Sequence, residues 1–182
     1  MPTVFDVAAY VMHQQRGRIT TKKLQKLVFY SQVWSLAWNH GPLFDESVEA
    51  WREGPVVRAL WEEHRGRYFV SEAFVSALGN PDRLSADQKL DIDAVLSVYS
   101  CFSAEELGDM SHEEVPWRVA RNSVDQTITI DMMRDFYRAL DVAARPLNAQ
   151  GRFLLNSLLA NVTSENRHAV IDWGNPIGRE AW

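Results

Sequence analysis

The stretch from Lys23 to Trp38 constrains the fold more than any other feature of the chain. Leu24, Leu27, Val28, Ser31, Trp34 and Trp38 recur at spacings of three and four, and Phe29, Tyr30, Val33, Leu36 and Ala37 widen that stripe. A helix apolar around so much of its circumference must be surrounded by protein, so it is expected at the centre of the fold. Thr20 or Thr21 can cap its start, and His40-Gly41-Pro42 stops it. Gln25 and Gln32 interrupt the apolar surface seven residues apart, nearly two turns, and so share a face. Either both point to water or both are buried and need partners. The backbone of the Trp51 to Pro55 passage is the candidate partner.

The flanking sequence reads as more helices. Val4 to Gln15 has helical spacing, with Asp6 in the first turn. Leu43 to Trp51 is short and extended or irregular. Gly54-Pro55 is a turn, with Pro55 placed to open a helix to about Glu63 that carries Val56, Leu60 and His64 on one side. Tyr68 to Val75 is expected as a short strand, and Gly79 to Asp82 as a loop. Ser85 with Gln88, and Ser103 with Glu106, form two capping boxes. The first opens a helix to about Cys101, the second a short helix ending before Ser111. Pro116 lies early in another short helix, and Ile130 to Val142 closes the unit. Arg145-Pro146 marks a break. Beyond it a helix from Ala149 to Ala160 and an extended Ala169 to Trp173 are expected. The fold class is therefore mainly α: one compact multi-helix domain over 1–142 with at most short strands, and a C-terminal α/extended appendage over 143–182.

Charge and composition narrow the function classes. The formal net charge is −5. From Asp82 to Glu114 nine acids face only Arg83 and Lys89, a stretch that repels a phosphate backbone. Arg16, Arg18, Lys22, Lys23 and Lys26 form the reverse cluster, a thin nucleic-acid footprint whose plain reading is a solvated helix face. Nucleic acid is not an expected partner. The single cysteine, Cys101, permits no intramolecular disulfide and reads as a core thiol. No run of about 18 apolar residues spans a membrane, and the N-terminus lacks a signal-peptide layout, so the cytoplasm is the expected location.

Catalytic signatures are missing. No two of the five histidines lie within four residues of each other, and no zinc spacing, nucleophile elbow or phosphate loop occurs. Asp109, His112, Glu113 and Glu114 form the densest group of candidate ligands. They could hold a metal or do acid–base work; they could equally form a capping loop in which His112 bonds a backbone carbonyl. No catalytic residue, metal or cofactor is expected, which moves the reading towards binding.

Three stretches carry a resemblance. They are Lys23 to Gln32 (K-L-Q-K-L, two hydrophobic residues, Y, a small residue, Q); Pro42-Leu43-Phe44 leading to Glu49 to Val56 (E-A-W, then G-P-V); and Ser111 to Trp117 (S-H-E-x-x-P-W). In order and spacing they resemble the Panacea family, the SocA-like antitoxin domain also found in phage-associated proteins. Ser111 stands where threonine is expected and Ser31 where alanine is expected; both keep the size of the site. The resemblance covers roughly 1–142 and implies an antitoxin that binds and neutralises a cognate protein toxin by direct contact. For some members it implies a proteolytic adaptor that delivers the toxin to a AAA+ protease. Alternatives are an interaction module without a toxin, and an enzyme or DNA-binding regulator.

Within this reading Gln25, Gln32, Trp51, Gly54, Pro55, His112 and Trp117 form a structural or partner-shaping cluster. Trp34, Trp51 and Trp117 are expected in the interior. The appendage lies outside the resemblance and ends in sparse apolar anchors. Of these Trp173, Ile177 and Trp182 are candidate partner contacts. They either wrap a partner or dock on the chain's own domain.

Overall fold

A computed structural model of the chain describes residues 1–38 and 40–144. Its elements run α1 (Val4–Gln15), β1 (Ile19–Thr20), α2 (Thr21–Ala37), β2 (Val48–Trp51), β3 (Gly54–Val57), α3 (Arg58–His64), β4 (Phe69–Val70), α4 (Glu72–Ser76), a 3-10 turn (Pro81–Arg83), α5 (Ala86–Tyr99), α6 (Ala104–Glu113), α7 (Val115–Arg121), β5 (Thr127–Ile128) and α8 (Ile130–Ala144). The fold is mainly α with short antiparallel strands.

Helix α2 is the axis. The Thr20 hydroxyl accepts from Lys23 N at 3.2 Å and caps it. From Leu24 to Ala37 every residue is buried. Helices α8, α5, α1 and α6 and strand β3 pack around it. Trp34 is 2% exposed, Trp51 2% and Trp117 8%, as the sequence predicts. Both capping boxes form, Ser85 with Gln88 and Ser103 with Glu106.

Several boundaries differ from expectation, each for a physical reason. Pro55 does not open a helix. It lies in β3, which pairs antiparallel with β2 in the register Val48↔Val57 to Trp51↔Gly54. Pro55 lacks an N–H, yet the pairing survives because β3 is an edge strand and Pro55 stands opposite Ala50, whose own N–H bonds Gln126 on the other side; its backbone turns away from β2, and its carbonyl meets a lysine. The helix begins three residues later, at Arg58. Strand β5 adds to the other edge of β2 (Val48↔Ile128, Glu49↔Thr127). Tyr68 to Val75 is strand only at Phe69–Val70, because the Ser71 hydroxyl accepts from Phe74 N at 3.4 Å and starts α4. Helix α6 runs past Ser111 to Glu113, since the buried Ser111 hydroxyl donates to Gly108 O at 2.6 Å within the helix. Cys101 is exposed and donates its thiol to Val98 O, not packed in the core. The elements expected from Ala149 onward lie outside the described residues.

Candidate functional site

The polar side chains of α2 are turned inward and grip the segment that follows the helix. Gln32 accepts from Leu43 N at 2.7 Å and donates to Phe44 O at 2.9 Å. Gln25 accepts from Val57 N at 2.9 Å and donates to Val57 O at 3.3 Å. A primary amide offers a donor and an acceptor side by side, so each glutamine pairs with backbone as a neighbouring strand would. Both are almost fully buried. Their partners are Leu43–Phe44 and Val57, not the Trp51 to Pro55 passage. The second amide hydrogen of Gln25 meets His64 Nε2 at 2.9 Å. Burial holds the His64 imidazole neutral, with its pKa pulled down to about 4.

Lys26 grips Pro55. Its ammonium is 1% exposed and donates to Pro55 O at 3.0 Å. It is not part of a solvated face. Desolvation, helped by the Lys22 charge and opposed by Glu53, pulls its pKa down to about 7. Lys22 in turn binds Glu53 at 3.1 Å on the β2–β3 turn. Gly54 has φ +100°, and a Cβ there would meet Lys26 Nζ at 2.7 Å and Ser111 Oγ at 2.7 Å. Only glycine leaves room for the buried amine and the serine hydroxyl at this turn.

The third stretch closes over the same hairpin. Trp117 Nε1 donates to Trp51 O at 3.0 Å, and Arg121 donates to Ala50 O at 3.0 Å. His112 lies 4.2 Å from the Trp117 ring and bonds the backbone of Arg52. Desolvation, with Lys26 adding, pulls its pKa down to about 4. The Trp51 side chain is buried. It packs edge-on against Trp61 at 4.9 Å in a small cluster with Val56, on the far side of the sheet from the main core. Its Nε1 donates to Glu49 at 2.7 Å, and Glu49 binds Arg58 through both oxygens at 2.6 and 2.7 Å.

The dense Asp109 to Glu114 stretch is split by the fold. Asp109 has its pKa raised by burial and by Glu105, Glu106, Glu113 and Glu53. Glu114 points elsewhere. Its carboxyl receives the Tyr30 hydroxyl at 3.2 Å and the Tyr137 hydroxyl on the other oxygen. Burial pushes it up to about 8, against the lowering effect of those two hydroxyls. Tyr30 stacks on Tyr99 at 4.2 Å, and Trp34 Nε1 donates to the Tyr99 hydroxyl at 3.0 Å. Among the described residues no group of three or more His, Cys, Asp or Glu is placed to hold a metal ion.

A family model described as the antitoxin SocA-like, Panacea domain matches residues 24–118, just over half of the chain. The chain belongs to the SocA-like antitoxin family. The match starts one residue into the first stretch and takes in the other two. No curated protein and no solved structure matches the chain.

In this Panacea chain the matched stretches are one interlocked assembly, in which α2 clasps Leu43–Phe44, Pro55 and Val57 while α6 and α7 cover the turn between β2 and β3. Gln25, Gly54, Pro55, His112 and Trp117 come together around that hairpin, and Gln32 holds Leu43–Phe44 ahead of it; Trp51 joins through its backbone, with its ring on the opposite face. Sequence reasoning missed the grip of Lys26 on Pro55 and the bonds of Tyr30 and Tyr137 to Glu114, which the sequence groups with Asp109, His112 and Glu113. A signal for Lys26 was present: it sits three and four residues before Phe29 and Tyr30, on a helix apolar all round. Glu114 gave none, because its tyrosine partners come from distant segments. The anchors Trp173, Ile177 and Trp182 lie outside the described residues.

Proposed function

We propose that the protein is the antitoxin of a toxin–antitoxin system, acting in the cytoplasm by binding and neutralising a cognate protein toxin through direct contact. Membership of the SocA-like antitoxin family carries this reading. The use of the motif residues supports it. Gln25, Gln32, Lys26 and Trp117 spend their hydrogen bonds on the chain's own backbone. Such residues build a rigid scaffold for a partner. No helix among the described residues is long and apolar enough to cross a membrane. The segment over 143–182 supplies further partner contacts through Trp173, Ile177 and Trp182.

The test is co-expression with the protein encoded by the neighbouring reading frame. That protein alone should arrest growth, and this chain should restore it. Restoration that disappears when a AAA+ protease is deleted, with toxin levels then rising, would shift the mechanism to proteolytic delivery. A neighbour that leaves growth untouched, and that does not bind the purified chain, would count against the antitoxin reading.

A further inference from the structure

Two Arg-Gly-Arg triplets, Arg16 to Arg18 and Arg65 to Arg67, are distant in the chain but flank one ribbon in the fold. The antiparallel pairing of β1 with β4, Ile19↔Val70 and Thr20↔Phe69, sets them at the two ends of one short ribbon. A bond from Thr21 N to Tyr68 O at 3.0 Å extends it. All four arginines are exposed. So are two large rings, Tyr68 at 68% and Phe69 at 46%. The rings meet edge-on at 4.7 Å.

Three of the guanidinium groups lie over aromatic faces. Arg18 is 5.0 Å from the Phe69 centroid, Arg67 4.4 Å from Phe74 and Arg65 5.1 Å from Trp61. A guanidinium stacked on a ring is pre-organised, and its N–H fork stays available for a carboxylate. Elsewhere cations pair with carboxylates: Arg58 with Glu49, Lys22 with Glu53 and Arg83 with Asp6. Among the described residues no ion pair engages Arg16, Arg18, Arg65 or Arg67. The acids on adjoining elements are Glu72, which holds His13 at 2.8 Å, and Glu62 and Glu63 on α3.

Arginine and exposed aromatic side chains are the composition of a binding hot spot. We infer that the ribbon of β1 and β4, with Tyr68 and Phe69 flanked by the four arginines, seats an acidic patch with an apolar centre on the neutralised protein. Charge complementarity selects this occupant. The chain's own segment over 145–182 carries four arginines against three acids, so charge does not draw it there. A long polyanion would meet the exposed acids Asp82, Asp87, Glu105, Asp109 and Glu113 on the same molecule.

This inference rests on the antitoxin reading, and its test separates the two. The full chain carrying Arg18→Glu and Arg67→Glu is compared with wild type. Both positions are exposed, so the thermal midpoint should hold. Wild type should restore growth in the co-expression assay and bind its partner more weakly as salt rises. The variant should bind at least tenfold more weakly and fail to restore growth. A variant that binds and neutralises like wild type overturns the inference and leaves the antitoxin reading standing.

A second measurement needs no toxin. The labelled full chain is titrated by NMR with a short peptide alternating glutamate and tyrosine, and separately with oligothymidylate. The peptide should shift the amides of 16–19 and 65–70 in wild type and not in the variant, even if the neighbouring protein proves not to be a toxin. Unmoved amides overturn the inference. So does oligothymidylate acting at lower concentration than the peptide, which would make this a nucleic-acid face. Salt-sensitive dimers lost in the variant would give the face to a second copy and overturn it too.

Discussion

Gly54→Ala tests whether the family assembly is built as its geometry indicates. Two costs add. The backbone there has φ +100°. A side chain held in such a sparsely populated conformation costs about 1–3 kcal/mol. The new methyl would also stand 2.7 Å from both Lys26 Nζ and Ser111 Oγ and 2.9 Å from Lys26 Cε. Lysine tips elsewhere swing aside easily, but this one is enclosed and tied to Pro55 O. Forcing a methyl into filled space costs about 1–3 kcal/mol more. Reduced freedom of the unfolded chain returns only about 0.4–1 kcal/mol. The expected loss is about 1–5 kcal/mol, read from guanidinium unfolding of the full chain with the slope unchanged. Gly17→Ala is the control, because a Cβ there meets nothing within 4 Å; it should stay within about 1 kcal/mol of wild type. Combining Gly54→Ala with Ser111→Ala should cost less than the sum of the two, since one clash is removed. A Gly54→Ala protein as stable as the Gly17→Ala control would refute the reasoning.

The other predictions concern titration, His112 and the C-terminal segment. Glu114 is raised from 4.5 to about 8 in the fold. Below pH 4.5 its contribution is fully present, and it is lost as pH rises through about 8. The stability advantage of wild type over Glu114→Gln should therefore fall across that window in denaturant titrations; a flat difference would refute the buried tyrosine pair. Lys26 is lowered from 10.5 to about 7. Its contribution is present above 10.5 and lost as pH falls through about 7, so wild type should gain on Lys26→Met between those values. His112→Gln can keep a bond to the Arg52 backbone but loses ring contact with Trp117; it should cost about 1 kcal/mol and preserve neutralisation. A turnover abolished by that change in a folded protein would reveal an enzyme. Deleting 146–182 should leave the thermal midpoint nearly unchanged yet remove toxin neutralisation; unfolding would make the segment part of the core.

Local signals carried most of the fold. The apolar circumference of α2 announced its central place because burial on all sides admits no other position. Both capping boxes were legible since each is a contact across three residues. Pro55 misled because a proline after glycine commonly opens a helix, whereas here it falls at an edge-strand position whose backbone faces away from β2, where no ladder N–H is needed. The same limit hid the site. Gln25 and Gln32 could be placed on one face, but whether that face met water depended on where 43–57 returned. Glu114 reads with Asp109, His112 and Glu113 as a candidate ligand or capping group, not as the partner of two tyrosines. It is distinguished only by Tyr30 and Tyr137, from two other helices.

The motif and the exposed ribbon therefore divide the work between them. The motif residues are turned inward, so a change at Gly54, Gln25 or Gln32 acts on the scaffold first and on partner choice only through it. Tyr68, Phe69 and the four arginines hold little of the core; substitutions there leave the scaffold intact while altering what it presents. A chain built this way can exchange its partner by surface substitution without re-solving its fold. Stability and neutralisation should accordingly separate: variants that break the scaffold, such as Gly54→Ala, lose both together, and ribbon variants lose binding alone.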